Sequence, residues 1–399
     1  MKLISTETKN NVLDTMIKNI DQNRTNILEA NKKDLKAFNK DDQALYDRLV
    51  LDDSKIDGMI KAISEVRAQE DPVSQEISNV KLDNGLSIIN KTAPFGTIMI
   101  IYESRPDVTI EAAVLAFKAN SKILLKGGKE ASNSNKELVA CWHQSLIANG
   151  LEKDWVRMLE LNREETQVFL KNPDEQLDLI VPRGGERLIN FVKEHAKCAV
   201  LISGRGNNFM YIAEDANWKK TIQVLLNAKT DKISGCNALD KVLIDKNLPN
   251  FETRLQELKT VLKQAKVEIL VDEDIKRVLL DEKPIPNKAT WSEEFLALKI
   301  VLGKVAGMDK AISKINKYSG GHSSVILTES PEKAQHFMEN VDSAAVYHNA
   351  STRFTDGGQM GVGAELAIST DKLHHRGPLG LKQLVTNKYY VFGNGQVRV

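Results

Sequence analysis

Apolar positions at helical intervals mark the first stretch of the chain. Val12, Met16, Ile20, Ile27 and Leu28 recur among polar residues between 6 and 70 and predict a pair or more of amphipathic helices. The period then changes. Residues 80–90 alternate around Asn84-Gly85, which predicts a β-hairpin with a type I′ turn because both residues tolerate positive φ. From Thr97 short apolar runs (98–102, 123–125, 156–159, 179–181, 199–202) alternate with helical stretches. That alternation predicts βαβ units and a parallel sheet with helices on both faces. A second series follows residue 236, with strands expected near 241–244, 267–271, 298–305, 324–327 and 344–347. The tail 387–392 reads as a last strand that pairs with the hairpin.

Composition narrows the class. At 399 residues the chain exceeds one ordinary core, so two domains with a small appendage are expected. Lysine and arginine (55) nearly cancel aspartate and glutamate (54), leaving +1, and no basic block forms a nucleic-acid footprint. Three cysteines without a CxxC pair and seven histidines without HExxH spacing predict neither disulfide framework nor metal site. The first residues lack an apolar signal core, and no apolar run approaches ~18 residues, so a cytoplasmic protein without membrane span is expected.

Open parallel sheets bind ligands beyond the carboxyl ends of their strands. That rule selects Glu103-Ser-Arg-Pro106, Lys126-Gly-Gly-Lys129, Pro182-Arg-Gly-Gly185 and Ser203-Gly-Arg-Gly206. In the second, Gly127 and Gly128 allow close backbone approach while Lys126 and Lys129 supply charge, a pattern suited to a cofactor phosphate or ribose. A solvated strand-to-helix turn gives the same string, and no complete GxGxxG is present. Arg183, Gly184 and Gly185 offer a second backbone approach to a phosphate or nicotinamide. Arg105 stands at the sheet's functional edge ahead of a helix opened by Pro106, as a partner for a substrate anion. Asn349-Ala-Ser351-Thr352-Arg353 gathers an amide, two hydroxyls and a guanidinium; such groups form local turns, and beside a nucleophile they clamp a carboxylate or phosphate. His374-His375-Arg376 has no third metal ligand and reads as structural or solvent-facing.

Cysteine is more often a packed small hydrophobe than a reagent. Cys141, in a helical stretch, and Cys198, at the start of an apolar run, read as core. Cys236 differs: Gly235 permits a tight turn, Ser234 and Asn237 are polar, Lys229 and Lys232 bring positive charge, and the segment resembles a thiol presented at a helix start.

In this order and spacing the segments resemble the γ-glutamyl phosphate reductases (glutamate-5-semialdehyde dehydrogenases) of the aldehyde dehydrogenase superfamily. The resemblance is carried by Pro94-Phe-Gly-Thr-Ile-Met-Ile-Ile-Tyr-Glu-Ser-Arg-Pro-Asp-Val-Thr109, Leu125-Lys-Gly-Gly-Lys-Glu-Ala131, Val181-Pro-Arg-Gly-Gly185 and Gly235-Cys-Asn-Ala-Leu239. It continues through Asn349-Ala-Ser-Thr-Arg-Phe-Thr-Asp-Gly-Gly358, Gly363-Ala-Glu-Leu-Ala-Ile-Ser-Thr370 and His375-Arg-Gly-Pro-Leu-Gly380. It implies an aldehyde dehydrogenase-like α/β fold: two doubly wound α/β domains plus a β-hairpin oligomerisation arm, giving a homo-oligomer. The cofactor-binding domain is expected at 1–77 and 94–229, the catalytic domain at 230–350 and the arm at 78–93 and 385–399, with 351–384 returning to the cofactor domain.

The implied reaction reduces L-glutamyl 5-phosphate to glutamate 5-semialdehyde with NADPH, using Cys236 as nucleophile. Substrate contacts would come from Arg105, Asn237, Asn349, Ser351, Thr352 and Arg353. Lys129 stands where NAD-preferring relatives carry a ribose-binding glutamate, which favours a 2′-phosphate. Ile202-Ser-Gly-Arg-Gly206 lacks the water-activating glutamate of hydrolytic relatives. The kinase that makes the labile substrate, glutamate 5-kinase, is a transient partner on this reading; nucleic acid and membrane are not. The chain departs from the family pattern at Gly204-Arg-Gly-Asn-Asn-Phe-Met210 and at Asp231-Lys-Ile-Ser234. Two rival readings are a CoA-dependent acylating dehydrogenase of the same fold and a non-catalytic binding protein that retains it.

Overall fold

The helical period at the start of the chain resolves into four helices, α1 (Thr6–Gln22), α2 (Arg24–Ala37), α3 (Gln43–Leu49) and α4 (Asp53–Ala68), in a computed structural model that describes residues 2–38 and 43–398. The parts of the expected spans at residues 1, 39–42 and 399 lie outside the described residues. Ser5 and Asp52 start α1 and α4 by accepting the backbone N–H groups of Thr8 and Lys55. Val12, Met16, Ile20 and Ile27 are fully buried. Each such side chain contributes about 1.5–3 kcal/mol on leaving water. Beneath them Lys9 is buried against Asp71 at 2.8 Å, and burial lowers its pKa against the pull of that carboxylate.

The chain folds as two compact units. The first comprises Met1–Ile202, Gly361–Ala367 and Leu379–Val399, the second Ser203–Met360 and Ile368–Pro378. Within the first, β1 (Glu76–Lys81) and β2 (Ser87–Pro94) form the expected hairpin, and Val385–Phe392 pairs antiparallel along β2, with Tyr390 opposite Ile89. The turn differs from the expected type I′. Of the Asn84-Gly85 pair only Gly85 has positive φ (87°); its N–H donates to the Leu82 carbonyl, and the Leu82 N–H donates to that of Leu86. This is the three-residue loop in which glycine fills the left-handed position.

The first unit's parallel sheet contains β3 (Thr97–Tyr102), β4 (Lys122–Lys126), β5 (Val156–Met158), β6 (Leu179–Arg183) and β7 (Ala199–Val200), in spatial order β5-β4-β3-β6-β7. The chain grows outward from β3 through β4 to β5, then returns to place β6 on the other side of β3. Its topological switch point therefore lies between β3 and β6, whose carboxyl ends open a crevice. Helices α5 (Pro106–Lys118) and α6 (Ser132–Ala148) connect these strands. Their core centres on Phe117, whose ring meets Trp142 and Trp155 edge-on at 5.7 and 5.9 Å.

The second unit holds β8 (Asn208–Ile212), β9 (Leu239–Asp245), β10 (Glu268–Val271), β11 (Lys283–Pro284), β12 (Lys299–Val305), β13 (Ser323–Leu327) and β14 (Ala345–His348). All are parallel, in order β11-β10-β12-β9-β8-β13-β14. Along β8, Phe209 and Tyr211 join the core with Trp291, while Met210 and Ile212 join the core on the opposite face. Being central, β8 is apolar on both faces and shows no alternation. The strand is absent from the expected series, which assigned 203–229 to the first domain. Its pairing with β9 and β13 places that stretch in the second unit.

Candidate active site

In the first unit the switch point collects three of the four loops selected from sequence; the fourth, 203–206, lies in the second unit ahead of β8. Tyr102, last in β3, lies in register with Arg183, last in β6. Lys126 ends β4, and its ammonium donates to the Gly127 carbonyl at 2.8 Å; burial lowers its pKa while Glu130 opposes the shift. Lys129 is exposed at the head of a single 3-10 turn. A Cβ on Gly127 would run into the Asn135 amide and the Tyr102 ring, and one on Gly128 into the Glu130 carboxylate. These two glycines therefore let the loop lie flat on its own neighbours. Gly184 packs against Glu103, whose carboxylate accepts the Gly185 N–H at 3.4 Å; a Cβ on Gly185 would meet open space.

The crevice's acids are committed. Glu130 accepts both the backbone N–H and the hydroxyl of Ser104 at 2.8 Å, holding Ser104 at φ 31°. Asp107 binds Arg105 at 2.6 Å. Burial pushes the Asp107 carboxyl up, but Arg105, with Lys55 and Arg183 behind it, outweighs burial and holds it below the ordinary range. The N-terminal N–H groups of α6 are taken as well: Asp34 of α2 accepts from Asn133 and Ser134 at 3.1 and 2.8 Å. Lys126, Lys129, Arg105 and Arg183 thus stand at or just beyond the carboxyl ends of β3, β4 and β6, where the carboxylates serve the loops themselves. That donor set fits an anionic dinucleotide, which side-chain cations rather than the α6 terminus would hold.

The second unit builds its site at the opposite strand ends. Cys236 lies in the link from the helix Trp218–Thr230 to β9, not at a helix start. The reason is local: Leu239–Asp245 is buried along its whole length and carries β-branched Val242 and Ile244, so it enters the sheet. Two tight turns precede it, closed by the Gly235 N–H to the Lys232 carbonyl and the Ala238 N–H to the Gly235 carbonyl, both at 3.0 Å. Cys236 is half-buried in the second.

Side chains fix this turn from both sides. The Asn208 amide Nδ2 donates to the carbonyls of Cys236, Ala238 and Gly206 at 2.8, 2.7 and 2.8 Å, and Oδ1 accepts the Ser323 N–H at 3.0 Å. The Thr352 hydroxyl donates to the Asn237 carbonyl at 2.7 Å. The Asn237 side chain donates to the carbonyls of Arg353 and Thr355 at 3.2 and 3.0 Å. Thr355 meets the Ser323 and Tyr347 hydroxyls, each at 2.7 Å. Gly206 must lack a side chain because a Cβ would collide with the Cys236 carbonyl.

Several expectations change here. Lys229 is fully buried and bonded to Asp240 at 2.9 Å, so its charge is neutralised by that carboxylate instead of serving the thiol. Arg105 belongs to the first unit, whereas Asn237, Asn349, Ser351, Thr352 and Arg353 belong to the second. Asn349 follows β14 at its carboxyl end with φ 53°, and its amide both accepts the Thr328 N–H and donates to the Thr328 carbonyl. It bridges two strand ends and has little capacity left for an anion. Ser351 caps the turn Thr352–Phe354 by accepting the Arg353 N–H, and the Arg353 guanidinium bonds Asp231 at 3.0 Å while crossing Gly235. Of the cluster only Thr352 and Arg353 reach the Cys236 turn. Cys141 is core, and its thiol is pushed up to about 11, first by burial. Cys198, expected in a core strand, is half-buried ahead of β7, with a thiol also raised by burial. His375 bonds the Pro378 carbonyl and Arg376 bonds Asp342, as structural residues do.

Glu294 carries a signal the sequence hid. Its Oε1 accepts the Gly206 N–H at 3.0 Å across 88 positions, and burial raises its pKa, with the Gly206 bond opposing and Asp240 reinforcing. The 202–206 stretch has no carboxylate of its own, yet folding brings one to it. Asp240 and Lys241 secure that segment: Asp240 accepts the Phe295 N–H at 3.1 Å, and Lys241, buried over the Phe295 ring at 3.7 Å, donates to the Glu293 carbonyl.

A five-stranded parallel sheet with a cationic switch-point crevice, a second parallel sheet presenting a clamped thiol, and an antiparallel arm make up an aldehyde dehydrogenase fold. The chain superposes at a TM-score of 0.70 on an acetylating aldehyde dehydrogenase of Geobacillus thermoglucosidasius, covering 99% of this chain and 94% of that one at 17% identity. It superposes at 0.94 on the γ-glutamyl phosphate reductase of Thermotoga maritima, with 39% identity over 99% of this chain and 95% of that one. Curated relatives include γ-glutamyl phosphate reductase 1 of Bacillus licheniformis, 41% identical over 99% of this chain and 95% of its own length. The γ-glutamyl phosphate reductase of Nautilia profundicola is also 41% identical, over 98% and 95%. No protein-family model matches the chain. The chain belongs to the γ-glutamyl phosphate reductase family.

Proposed function

We propose that this protein reduces L-glutamyl 5-phosphate to L-glutamate 5-semialdehyde and phosphate with NADPH, in proline biosynthesis, through a thioester on Cys236. The observation that carries the reading is the half-buried Cys236 in a turn whose Cys236, Asn237 and Ala238 carbonyls are each held by a side chain, beside Gly206, where any side chain would collide with the turn.

The Cys236 thiolate attacks the C5 carbonyl of the acyl phosphate. The tetrahedral oxyanion is met by the Cys236 backbone N–H, a kind of donor whose loss typically costs about 3 kcal/mol of barrier. Phosphate leaves with the electrons of the acyl–oxygen bond, and the thioester remains on Sγ. NADPH, when bound, supplies the hydride that converts the thioester to a thiohemiacetal. Collapse of that adduct breaks the C–S bond, returns the electron pair to sulfur and releases the aldehyde. The first unit acts as the cofactor domain through Lys126, Lys129, Arg183 and the backbone at Gly127, Gly128, Gly184 and Gly185. Arg105 and Arg353 are the anion partners of cofactor and substrate, one in each unit, while Asn237 and Thr352 hold the thiol's turn, Ser351 caps the turn that carries Arg353 and Asn349 secures the end of β14. Lys129, exposed beside the two glycines, suits the 2′-phosphate of NADPH.

The arm exposes Ile77, Val80, Tyr389, Val391 and Phe392, an apolar surface suited to a second copy, so a homo-oligomer is the working state. Among the described residues no helix is long and apolar enough to cross a membrane. The reading places the enzyme in the cytoplasm, in passing contact with glutamate 5-kinase, which makes its labile substrate.

The reverse reaction tests this function. With pyrroline-5-carboxylate and NADP supplied, NADPH should appear in steady state only when phosphate is present. Steady turnover without phosphate would replace phosphorolysis of the thioester by hydrolysis and overturn the proposal.

A further inference from the structure

We infer that Asn208 is the positioning residue of the Cys236 nucleophile, an inference that rests on the assignment of Cys236 above. Asn208 opens β8, and its side chain is completely buried. Its single amide joins backbone groups from three separate loops: the carbonyls of Gly206, Cys236 and Ala238, and the N–H of Ser323.

The geometry gives this bond set a direct bearing on the thiol. A peptide group is planar and trans, so turning the Cys236 carbonyl toward Asn208 points the Asn237 N–H the opposite way and fixes ψ at Cys236. Thr352 fixes the following peptide in the same manner through the Asn237 carbonyl. With both peptides set, the direction of the Cys236 Cα–Cβ bond is determined before substrate arrives. A nucleophile held within reach of its target accounts for several kcal/mol of rate, and a displacement of about 1 Å costs on the order of 10²-fold.

Only an amide supplies donors to the carbonyls and an acceptor to Ser323 from one short side chain. Asn208→Asp keeps the shape and the acceptor but turns the donor into a second acceptor facing three carbonyl oxygens. In the reverse assay at saturating phosphate this variant should lose about 10²-fold in kcat, while KM for NADP moves by less than about twofold. The deficit relative to the parent should narrow as pH falls, because protonating the new carboxyl restores one O–H donor. An unchanged kcat, a loss equal at every pH, or a rise in KM at full kcat would overturn the proposal.

Should thermal melting show that Asn208→Asp does not fold, Asn208→Ser keeps one donor and one acceptor. A lower kcat at constant KM then supports the role, and full kcat removes it. Cys236→Ala, measured alongside, separates the two assignments. An active Cys236→Ala variant discards the nucleophile itself, whereas an inactive one beside a fully active Asn208→Asp discards only the positioning.

Discussion

The two parallel sheets put their functional loops at opposite strand ends. In the first unit the loops at the carboxyl ends of β3, β4 and β6 carry Lys126, Arg105 and Arg183, with Lys129 exposed beside them. In the second the loops before β8, β9 and β13 meet at Cys236, and their polar groups bond one another. On the proposed reading a cofactor that must enter and leave is served by charge, which tolerates adjustment. A thiol that must attack one carbon is served by buried hydrogen bonds that forbid adjustment, since leaving any of them unmade costs about 1–3 kcal/mol.

Four substitutions break or sharpen that contrast. The largest effect is expected of Cys236→Ala, which should cut turnover by ~10⁴-fold or more while NADP binding stays near normal. Steady-state rates and equilibrium titration of the cofactor check both halves.

Lys241 comes next. Burial lowers its pKa to about 7, with Asp240 opposing and Lys229 reinforcing. In the unfolded chain its pKa is near the ordinary lysine value of 10.5. Between those values the unfolded chain binds the extra proton, so stability rises with pH across that window. Lys241→Met should flatten this rise by a few kcal/mol, on the order set by 1.36 kcal/mol per pKa unit, in denaturant unfolding followed from pH 7 to 10. Lys9, Lys118 and Lys229 are shifted in the same direction, so a smaller slope should remain.

Lys129→Glu should raise KM for NADPH about tenfold relative to NADH, checked by steady-state kinetics with each cofactor. The smallest effect is expected at the carboxyl end of the second sheet. Asn349→Ala loses both bonds to Thr328 and places alanine at φ 53°, costing about 1–2 kcal/mol of stability with KM for pyrroline-5-carboxylate unchanged.

The strands were legible where an apolar run stood between turn residues, as at 98–102 or 298–305. The first crevice was legible because its chemistry lies in local strings such as Lys126-Gly-Gly-Lys129. The second site was only half legible. Cys236, Thr352 and Arg353 stood out, but what organises them is tertiary. Asn208 reads as one more polar loop residue until β8 buries it, and Glu294 reaches Gly206 from 88 positions away. Lys229 looked like a free charge because its partner Asp240 follows a double turn that brings strand and helix together. Asn349 has the chemistry for an anion, but its amide is engaged by Thr328, a partner 21 positions away that the local string does not show.

A stopped-flow experiment tests the central claim that the clamped Cys236 carries the acyl group. Enzyme mixed with pyrroline-5-carboxylate and NADP in the absence of phosphate should give a rapid burst of NADPH of about one equivalent per chain, then stop until phosphate is added. The burst should vanish in Cys236→Ala. A parent enzyme that shows no burst, or a Cys236→Ala variant that retains it, would contradict the account.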